Sequence, residues 1–300
     1  ANETAHITML QRSPSYVINV PNTDKLFDAA RKVFSEELVY KFFRKRNILM
    51  QRGIYKISRR FPKQMRSFLL SNAQKELGEQ YDMTHFTPKY MPWDERLCAI
   101  PDNDLFEVIR EGKASIVTDQ IERITETGIL LKSGQTLDAD IIVSATGLEL
   151  QMLGGVNLSV DQEQIHPSDK LSYRGVLLED VPNFAYLFGY TNAPWTLKID
   201  LANDYICRLI NELDIRQMTA VKPVAPAGEN TGESIISSLQ AGYVQRGCHE
   251  LPRQGKSKDW FVSHNYEVDS EMFAQSLESP GLVWSTEAKQ IKAKGKIKAA

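Results

Sequence analysis

The sequence has little cysteine, no long apolar run and no excess of charge of one sign. Its three cysteines, Cys98, Cys207 and Cys248, are widely spaced and odd in number, which excludes a disulfide framework and a CxxC metal site. No apolar run approaches the roughly 20 residues of a membrane-spanning helix, and the N-terminus has no signal-peptide pattern. The sequence therefore predicts a cytoplasmic protein in a reducing compartment.

The charge balance and the histidine spacing exclude further classes of protein. A net charge of -2, with 25% charged and 42% hydrophobic residues, is ordinary for a globular protein and argues against disorder or nucleic-acid binding. The five histidines have no metal-ligand spacing and form no catalytic set with serine or cysteine, so we expect no metal. At 300 residues the chain exceeds the usual size of one domain, which predicts two substructures.

The first 80 residues predict a short strand followed by helices. Residues 6–11 (HITMLQ) form an apolar-rich run that ends in RSP, as a buried strand entering a loop does. Residues 24–78 have apolar side chains at helical spacing, with Asp24 as the N-cap and Pro62 as a break. We interpret this helical stretch as an insertion between two α/β segments.

Residues 41–66 of this stretch carry ten basic residues interleaved with apolar ones. Such a basic amphipathic pattern is typical of a helix with one solvated and one packed face, which is the first interpretation. The alternative is a surface that binds an anionic ligand or the anionic lipids of a membrane.

The middle of the chain predicts a short helix and then strands. Residues 102–111 predict a capped helix that ends at Gly112, and the alternating runs 114–125 and 128–137 predict a small antiparallel meander. Residues 138–147 (DADIIVSATG) place a β-rich run before small residues. This order predicts a central parallel strand whose end lets a ligand come close.

The remaining segments predict one more strand and two helices. Residues 184–190 (FAYLFGY) predict a buried strand, which is followed by a turn and by a helix over residues 195–213. Residues 223–232 are predicted to be a linker and residues 233–246 a helix. Strand, small turn and helix in this order are typical of a nucleotide site.

Four motifs, taken together and in order, resemble those of the flavin-containing and Baeyer–Villiger monooxygenases. They are LQRSP, MPWDERLC, DADIIVSATG and FGYTNAPWTLK, and the similarity is greatest to the branch that includes the ethionamide-activating enzyme. The resemblance extends from about residue 5 to residue 213. It implies an α/β fold, namely a Rossmann-like, two-domain flavoprotein that binds FAD and NAD(P), is N-terminally truncated and contains a helical insertion.

The resemblance also divides the chain into three parts. Residues 1–137 correspond to part of the NADPH-binding domain, with the helical insertion at about residues 24–80. Residues 138–213 correspond to the closing part of the FAD-binding domain, and residues 214–300 to a C-terminal extension.

The resemblance places two groups of residues beside bound FAD. In the family, the ATG strand returns the chain to the FAD domain, which implies contacts from Asp140, Ala145, Thr146 and Gly147. From the residues alone, Gly147 is equally well explained as a turn after a strand.

The second group lies at the turn before the helix of residues 195–213. Gly189, Thr191 and Asn192 resemble a turn that approaches the flavin, and Trp195 opens a helix whose N–H groups can face an electron-rich ring edge. A simple helix cap remains the alternative for these residues.

Arg12 follows the first predicted strand, where NADPH-using Rossmann domains place a basic residue against the 2′-phosphate. A guanidinium offers a bidentate fork to phosphate oxygens, and Ser13 would add a hydroxyl contact. The resemblance therefore implies NADPH rather than NADH. A surface arginine at a strand end is the alternative.

Arg96 matches by position the active-site arginine of the Baeyer–Villiger enzymes. The resemblance implies that it helps to hold the anionic peroxyflavin and the nicotinamide, because a guanidinium stabilises negative charge without giving up a proton. A salt bridge to Asp94 or Glu95 is the alternative from the residues alone.

The implied reaction uses NADPH and FAD to transfer one oxygen atom of O2 to a small molecule, namely a ketone, a sulfide or an amine, with water as the other product. The glycine-rich loops that bind the two nucleotides are absent, so we expect the C-terminal part of such an enzyme, and an inactive fragment is one interpretation. A disulfide reductase of the same fold would need a redox-active cysteine pair. The other alternative is a non-catalytic remnant that binds an anionic partner or a membrane surface through residues 41–66.

Overall fold

The computed structural model describes residues 3–95, 97–239 and 241–286. The chain forms two compact units, Ala1–Thr146 and Gly147–Ala300, called here the first and the second unit. The strands of the first unit are β1 (Ile7–Gln11), β2 (Val17–Val20), β3 (Cys98–Pro101), β4 (Ala114–Thr118), β5 (Ile121–Ile124), β6 (Gly128–Leu131) and β7 (Thr136–Asp138). Its α-helices are α1 (Lys25–Ala30), α2 (Glu36–Arg60), α3 (Pro62–Leu77) and α4 (Asp104–Arg110).

Two parallel strand pairs form the α/β part of the first unit. β1 pairs with β4, and β2 pairs with β3. Parallel strands need a long crossover, and the three helices α1 to α3 lie between β2 and β3 in the chain. The predicted strand at residues 6–11 is therefore confirmed as β1, and the predicted helical insertion is confirmed.

The helical insertion begins and breaks where the sequence predicts. Asp24 precedes α1, and its carboxylate accepts hydrogen bonds from the backbone N–H groups of Leu26 and Phe27. Pro62 occupies the first turn of α3, where its missing N–H costs no helical hydrogen bond. The result is a separate long helix on each side of Phe61.

The apolar face of α2 is packed only in part. Val39 and Phe43 are buried, and the Phe43 ring meets that of Phe27 edge to face at a centroid distance of 5.4 Å. Many other large apolar side chains on α2 and beside it are exposed: Leu38, Tyr40, Phe42, Leu49, Met50, Ile54, Ile57 and Phe61. The interpretation of one solvated and one fully packed face is therefore too simple.

The core of the first unit lies between the parallel strands and the helices α3 and α4. It is formed by Ala73, Leu77, Phe86, Phe106, Ile109, Ala114 and Ile116. Beyond β4 the chain makes the antiparallel sheet β5-β6-β7, which confirms the predicted meander. The run predicted from residue 114 to 125 is divided between β4 and β5, because β4 pairs with β1 and not with the meander.

The second unit contains short strands around one long helix. Its strands are β8 (Leu158–Val160), β9 (Glu163–Ile165), β10 (Ser172–Tyr173), β11 (Leu177–Leu178), β12 (Ala220–Pro223), β13 (Asn230–Ser234), β14 (Arg253–Gly255) and β15 (Leu282–Ser285). Its α-helices are α5 (Trp195–Ile215), α6 (Gly242–Gly247) and α7 (Tyr266–Ala274). The predicted helix at residues 195–213 is confirmed as α5.

Two apolar clusters form the core of the second unit. The first packs α5 against α7 and includes Tyr173, Tyr205, Trp260 and Phe273. The second joins Tyr186 to Ile235, Ile236 and Leu251. Burying aromatic side chains of this size accounts for much of the apolar area removed from water.

The prediction of a central strand within residues 138–147 is wrong for this structure. β7 ends at Asp138, and residues 141–150 have no regular secondary structure. Ile141 and Val143 are 79% and 84% exposed. A parallel strand is stabilised by neighbouring strands and covered faces, and no strand of the described residues pairs with this segment.

Three further expectations for the second unit are wrong. Residues 184–190 form no strand beyond an isolated bridge between Leu177 and Ala185, although Tyr186 and Tyr190 are buried. Residues 223–232 are not only a linker, because they include the end of β12 and the start of β13. Among the described residues of the helix predicted over residues 233–246, only those from Gly242 onward are helical. β13 instead pairs with β14, a partner that local spacing does not reveal.

Within the described residues, no helix is both long enough and apolar enough to cross a bilayer.

Candidate functional site

Arg12 and Ser13 lie directly after β1, at the edge where the carboxyl ends of β1 and β4 meet. Both side chains are exposed. No hydrogen bond or ion pair to another described residue holds the Arg12 guanidinium, so it is free to bind an anion. Ligands of open α/β sheets bind outside the carboxyl ends of the strands, which is where Arg12 lies.

A small polar network adjoins this edge. The Gln11 side-chain amide donates to the Thr118 hydroxyl at 2.8 Å and to the His85 carbonyl at 2.7 Å. The His85 ring nitrogen Nδ1 lies 2.8 Å from the same hydroxyl. These contacts fix the ends of both strands beside Arg12. Sequence reasoning missed Gln11, His85 and Thr118, although Gln11 is a polar residue at the end of a predicted strand.

Asp140, Ala145, Thr146 and Gly147 lie in the segment without regular secondary structure that follows β7. All four are exposed, and the Thr146 hydroxyl lies 3.5 Å from that of Ser144. Gly147 has a φ of 120°, a backbone conformation that side-chain-bearing residues rarely adopt. A Cβ atom there would lie 3.7 Å from Nη2 of Arg246. The backbone at Gly147 is therefore open to close approach, with a cation beside it that sequence reasoning missed.

Gly189, Thr191, Asn192 and Trp195 are brought together in one turn of the second unit. Gly189 is buried, and a Cβ atom on it would lie 2.6 Å from the Cα of Trp195. The Trp195 ring packs on that of Phe188 at a centroid distance of 5.1 Å. Only glycine fits between the turn and the start of α5, so this position requires the residue that the motif supplies.

The N-terminus of α5 meets this turn without a side-chain cap. Pro194 precedes the helix and makes no side-chain hydrogen bond to it. The first N–H groups of a helix lack intrahelical partners and carry the positive end of the helix dipole. Thr191 and Asn192 are half-buried beside this end, which is suited to an electron-rich ligand group.

A buried polar cluster lies behind the turn. The Lys198 ammonium lies 3.4 Å from the Asp269 carboxylate and 5.5 Å from the centroid of the Tyr190 ring. His264 is also buried, and its Nε2 donates to the Ile235 carbonyl at 2.7 Å. Burial lowers the pKa of Lys198, and it lowers the pKa of His264 to about 4. Sequence reasoning missed Lys198, although it stands at the end of the quoted motif FGYTNAPWTLK.

Arg96 lies outside the described residues. One of its two predicted alternative partners, Asp94, accepts a hydrogen bond from the Arg59 guanidinium at 2.7 Å. Asp94 also accepts from the backbone N–H of Met91 at 3.2 Å. Asp94 is thus paired with a described residue, Arg59.

No protein-family profile matches the chain. The chain is 48% identical over 278 residues to the "Probable FAD-binding monooxygenase AlmA" of Acinetobacter baylyi, an alignment that covers 93% of this chain and 56% of AlmA. The chain is a homologue of FAD-containing monooxygenases. It is also 42% identical over 279 residues to the FAD-containing monooxygenase EthA of Mycobacterium tuberculosis, covering 92% of this chain and 57% of EthA. The homologue described here therefore spans a little over half the length of these relatives.

Solved structures show the same fold. A steroid monooxygenase bound to NADP superposes with a TM-score of 0.64 at 19% identity, over 95% of this chain and 63% of that chain. A cyclohexanone monooxygenase mutant from Rhodococcus, bound to NADP+, gives a TM-score of 0.59 at 17% identity, over the same shares of the two chains. These structures confirm the predicted α/β fold class, and the sequence identity to AlmA and EthA confirms the family resemblance.

Proposed function

We propose that this chain is part of an FAD-dependent, NADPH-using monooxygenase that transfers one oxygen atom of O2 to a small molecule. The observation that carries the proposal is 42 to 48% identity, over more than nine-tenths of the chain, to proteins named as FAD-binding or FAD-containing monooxygenases. The bound flavin would supply the oxygen chemistry, and this chain would bind, orient and shield it.

The turn before α5 fits a role at FAD. Gly189 brings the backbone against Trp195, and the uncapped helix end directs N–H groups toward the space beside Thr191 and Asn192. In the proposal, these N–H groups and the Asn192 amide hold polar atoms of the flavin ring. The Trp195 ring, about half exposed, would cover an apolar part of the ligand.

The segment before Gly147 fits a second contact with FAD. Asp140, Ala145 and Thr146 are exposed in a segment without regular secondary structure, and Gly147 adopts a positive φ that lets a ligand approach its backbone. We assign Ala145 and Gly147 to close backbone contact, and Asp140 and Thr146 to hydrogen bonds with the nucleotide.

The edge beyond β1 fits the 2′-phosphate of NADPH. Arg12 is exposed and free at the carboxyl end of a parallel strand, and Ser13 adds a hydroxyl beside it. The Gln11, His85 and Thr118 contacts hold this edge in place. Arg12 would therefore select NADPH over NADH.

Arg96 is assigned the catalytic position by its place in the motif MPWDERLC. A guanidinium keeps its charge at every working pH and stabilises negative charge on the reacting oxygen species.

The substrate class follows from the same proposal. A ketone is the first expectation, with oxygen insertion next to the carbonyl, and a sulfide or an amine is the second. We propose that the reaction takes place in the cytoplasm.

The test measures FAD binding first and oxygen transfer to a product second. The purified chain is titrated with FAD and its visible absorbance recorded, and then NADPH oxidation is measured with ketones and sulfides. The proposal expects bound flavin and a product that carries one atom from isotopically labelled O2. Absence of bound flavin would overturn the proposal for this chain. The non-catalytic alternative is not favoured, because the relatives are named as monooxygenases.

One observation favours an additional contact with membranes. Six exposed residues of α2 share one helix face, which we call the basic-apolar face: Leu38, Phe42, Lys45, Leu49, Lys56 and Arg60. Apolar side chains between basic ones are typical of helices that lie in the surface of an anionic bilayer. We propose that this face makes a peripheral membrane contact, which vesicle binding tests.

A further inference from the structure

A buried ion pair joins three elements of the second unit. Lys198 lies in the first turn of α5, and Asp269 lies in α7. Their charged atoms are 3.4 Å apart, and the two side chains are only 1% and 2% exposed. Tyr190, in the turn that precedes α5, places its ring 5.5 Å from the Lys198 ammonium. The cation therefore contacts α7 on one side and the turn on the other.

Such a pair is a poor source of stability. Removing two charges from water costs as much as their attraction returns, so replacement of a buried pair by apolar residues often leaves stability unchanged. Burial accordingly lowers the pKa of Lys198, and the Asp269 carboxylate opposes this shift. Unlike an apolar contact, an ion pair favours one relative orientation of the two side chains that form it.

Tyr190 is held through its ring. Burial, followed by the negative charge of Asp269, raises the pKa of Tyr190, so its phenol stays neutral. A desolvated cation near the face of a neutral aromatic ring attracts it. The fit around the cation is close, because a Cβ atom on Gly175 would lie 2.9 Å from the Lys198 ammonium. The Lys198 ammonium therefore lies close to the Gly175 backbone as well as to the Tyr190 ring.

We propose that Lys198 and Asp269 are positioning residues for the turn of residues 189–192. Asp269 fixes the Lys198 ammonium, Lys198 fixes the Tyr190 ring, and Tyr190 fixes the backbone of its neighbours Gly189 and Thr191. The turn is then presented to the ligand in one orientation. The consequence for flavin rests on the proposed function, whereas the consequence for the order of the turn does not.

The test replaces the pair without leaving a buried charge. The double variant Lys198→Met/Asp269→Leu keeps the volume and removes both charges. Its matched control is Arg174→Met/Asp259→Leu, which removes another pair of the second unit, 2.9 Å apart, whose cation also lies near aromatic rings, those of Tyr173 and Tyr205. Thermal unfolding of both variants reports stability.

Two readouts separate positioning from stability. Hydrogen exchange of the amides of residues 189–197 should be at least about tenfold faster in the double variant than in the wild type, and unchanged in the control. FAD affinity should fall about tenfold in the double variant, with an altered flavin absorbance, and stay within about twofold in the control.

Each outcome bears on one proposal. Unchanged exchange at residues 189–197 in a folded double variant would overturn the positioning role. If the wild-type chain binds no FAD, the proposed function fails for this chain, while the exchange measurement still decides on positioning. If the double variant does not fold, Lys198→Arg takes its place, because it keeps the charge and changes the reach. Intermediate exchange then supports the role, and wild-type exchange overturns it.

Discussion

Gly189 lies so close to Trp195 that a Cβ atom at position 189 would come within 2.6 Å of the Trp195 Cα. The contact is with backbone, which cannot rotate away as a side chain can. The turn can thus pack directly against the start of α5 because residue 189 has no side chain. This packing sets the shape of the turn that is proposed to bind the flavin.

The variant Gly189→Ala should therefore destabilise the second unit. Overpacking of a filled site costs roughly 1 to 3 kcal/mol, so we expect a lower free energy of unfolding and a weaker FAD complex. Gly53→Ala is the matched control, because nothing lies within 4 Å of a Cβ atom at that position inside α2. The control should gain roughly 0.5 to 1 kcal/mol through helix propensity. Equal stability of the two variants would show that the turn can relax.

Arg12 should discriminate between the two nicotinamide cofactors. The variant Arg12→Gln loses the charge that would pair with the 2′-phosphate, so the affinity for NADPH should fall by about ten- to a hundredfold and that for NADH should stay constant. Calorimetric titration with both nucleotides measures this. Arg123→Gln, an exposed arginine on β5, is the control. A parallel loss of NADH affinity would remove the assignment of Arg12 to the phosphate.

His264 should make the stability of the chain depend on pH. Burial lowers its pKa from 6.5 to about 4, so the unfolded chain takes up this proton at a higher pH than the folded chain. The stabilisation is complete above about pH 6.5 and is lost as the pH falls toward 4, by roughly 3 kcal/mol. Denaturant unfolding between pH 7 and about pH 4 measures the slope.

The variant His264→Leu should flatten this slope, whatever its stability at neutral pH. His249→Gln changes an exposed histidine beside Glu250 and should leave the slope as it is. An unchanged slope in His264→Leu would assign the pH dependence to other groups.

The basic-apolar face should bind anionic vesicles. We expect cosedimentation with vesicles that contain phosphatidylserine, and little with phosphatidylcholine alone, because each basic residue near an anionic surface contributes about 1 kcal/mol. The double variants Lys45→Glu/Lys56→Glu and Phe42→Ser/Leu49→Ser should each weaken binding, the first mainly at low salt. If neither double variant changed vesicle binding, the basic-apolar face would be excluded as the membrane contact.

The helices of the first unit could be predicted from the sequence because their signals are local. Asp24 caps α1 through its own carboxylate, and Pro62 separates α2 from α3 wherever the rest of the chain lies. α5 was equally clear from its apolar spacing and the turn before it. Local signals of this kind do not depend on distant partners.

The absence of strands within residues 138–147 and 184–190 could not be predicted in the same way. A strand is stabilised by hydrogen bonds to neighbouring strands and by packing against them. No described strand flanks Ile141 to Val143, so these apolar residues remain exposed. Residues 233–246 were predicted to be a helix, yet Ile235, Ile236 and Leu239 fill an apolar cluster after β13.

In the candidate site, too, the contacts between residues near in sequence could be predicted and those between distant residues could not. Gly189 and Trp195 are neighbours in the sequence, and the motif placed them together. The partner of Lys198 is Asp269, which lies far along the chain and carries no motif. The role of Arg96 stays a prediction.

The pairing of β1 with β4 also means that β1 is synthesised well before its partner strand. Ile7 pairs with Ala114, and this partner is synthesised 107 residues later (114 − 7). At a translation rate of about 5 to 20 residues per second, the first strand waits roughly 5 to 20 seconds for its partner. During that interval the apolar segment around Met9 depends on the ribosome, on chaperones or on the nascent helices to keep it from aggregating.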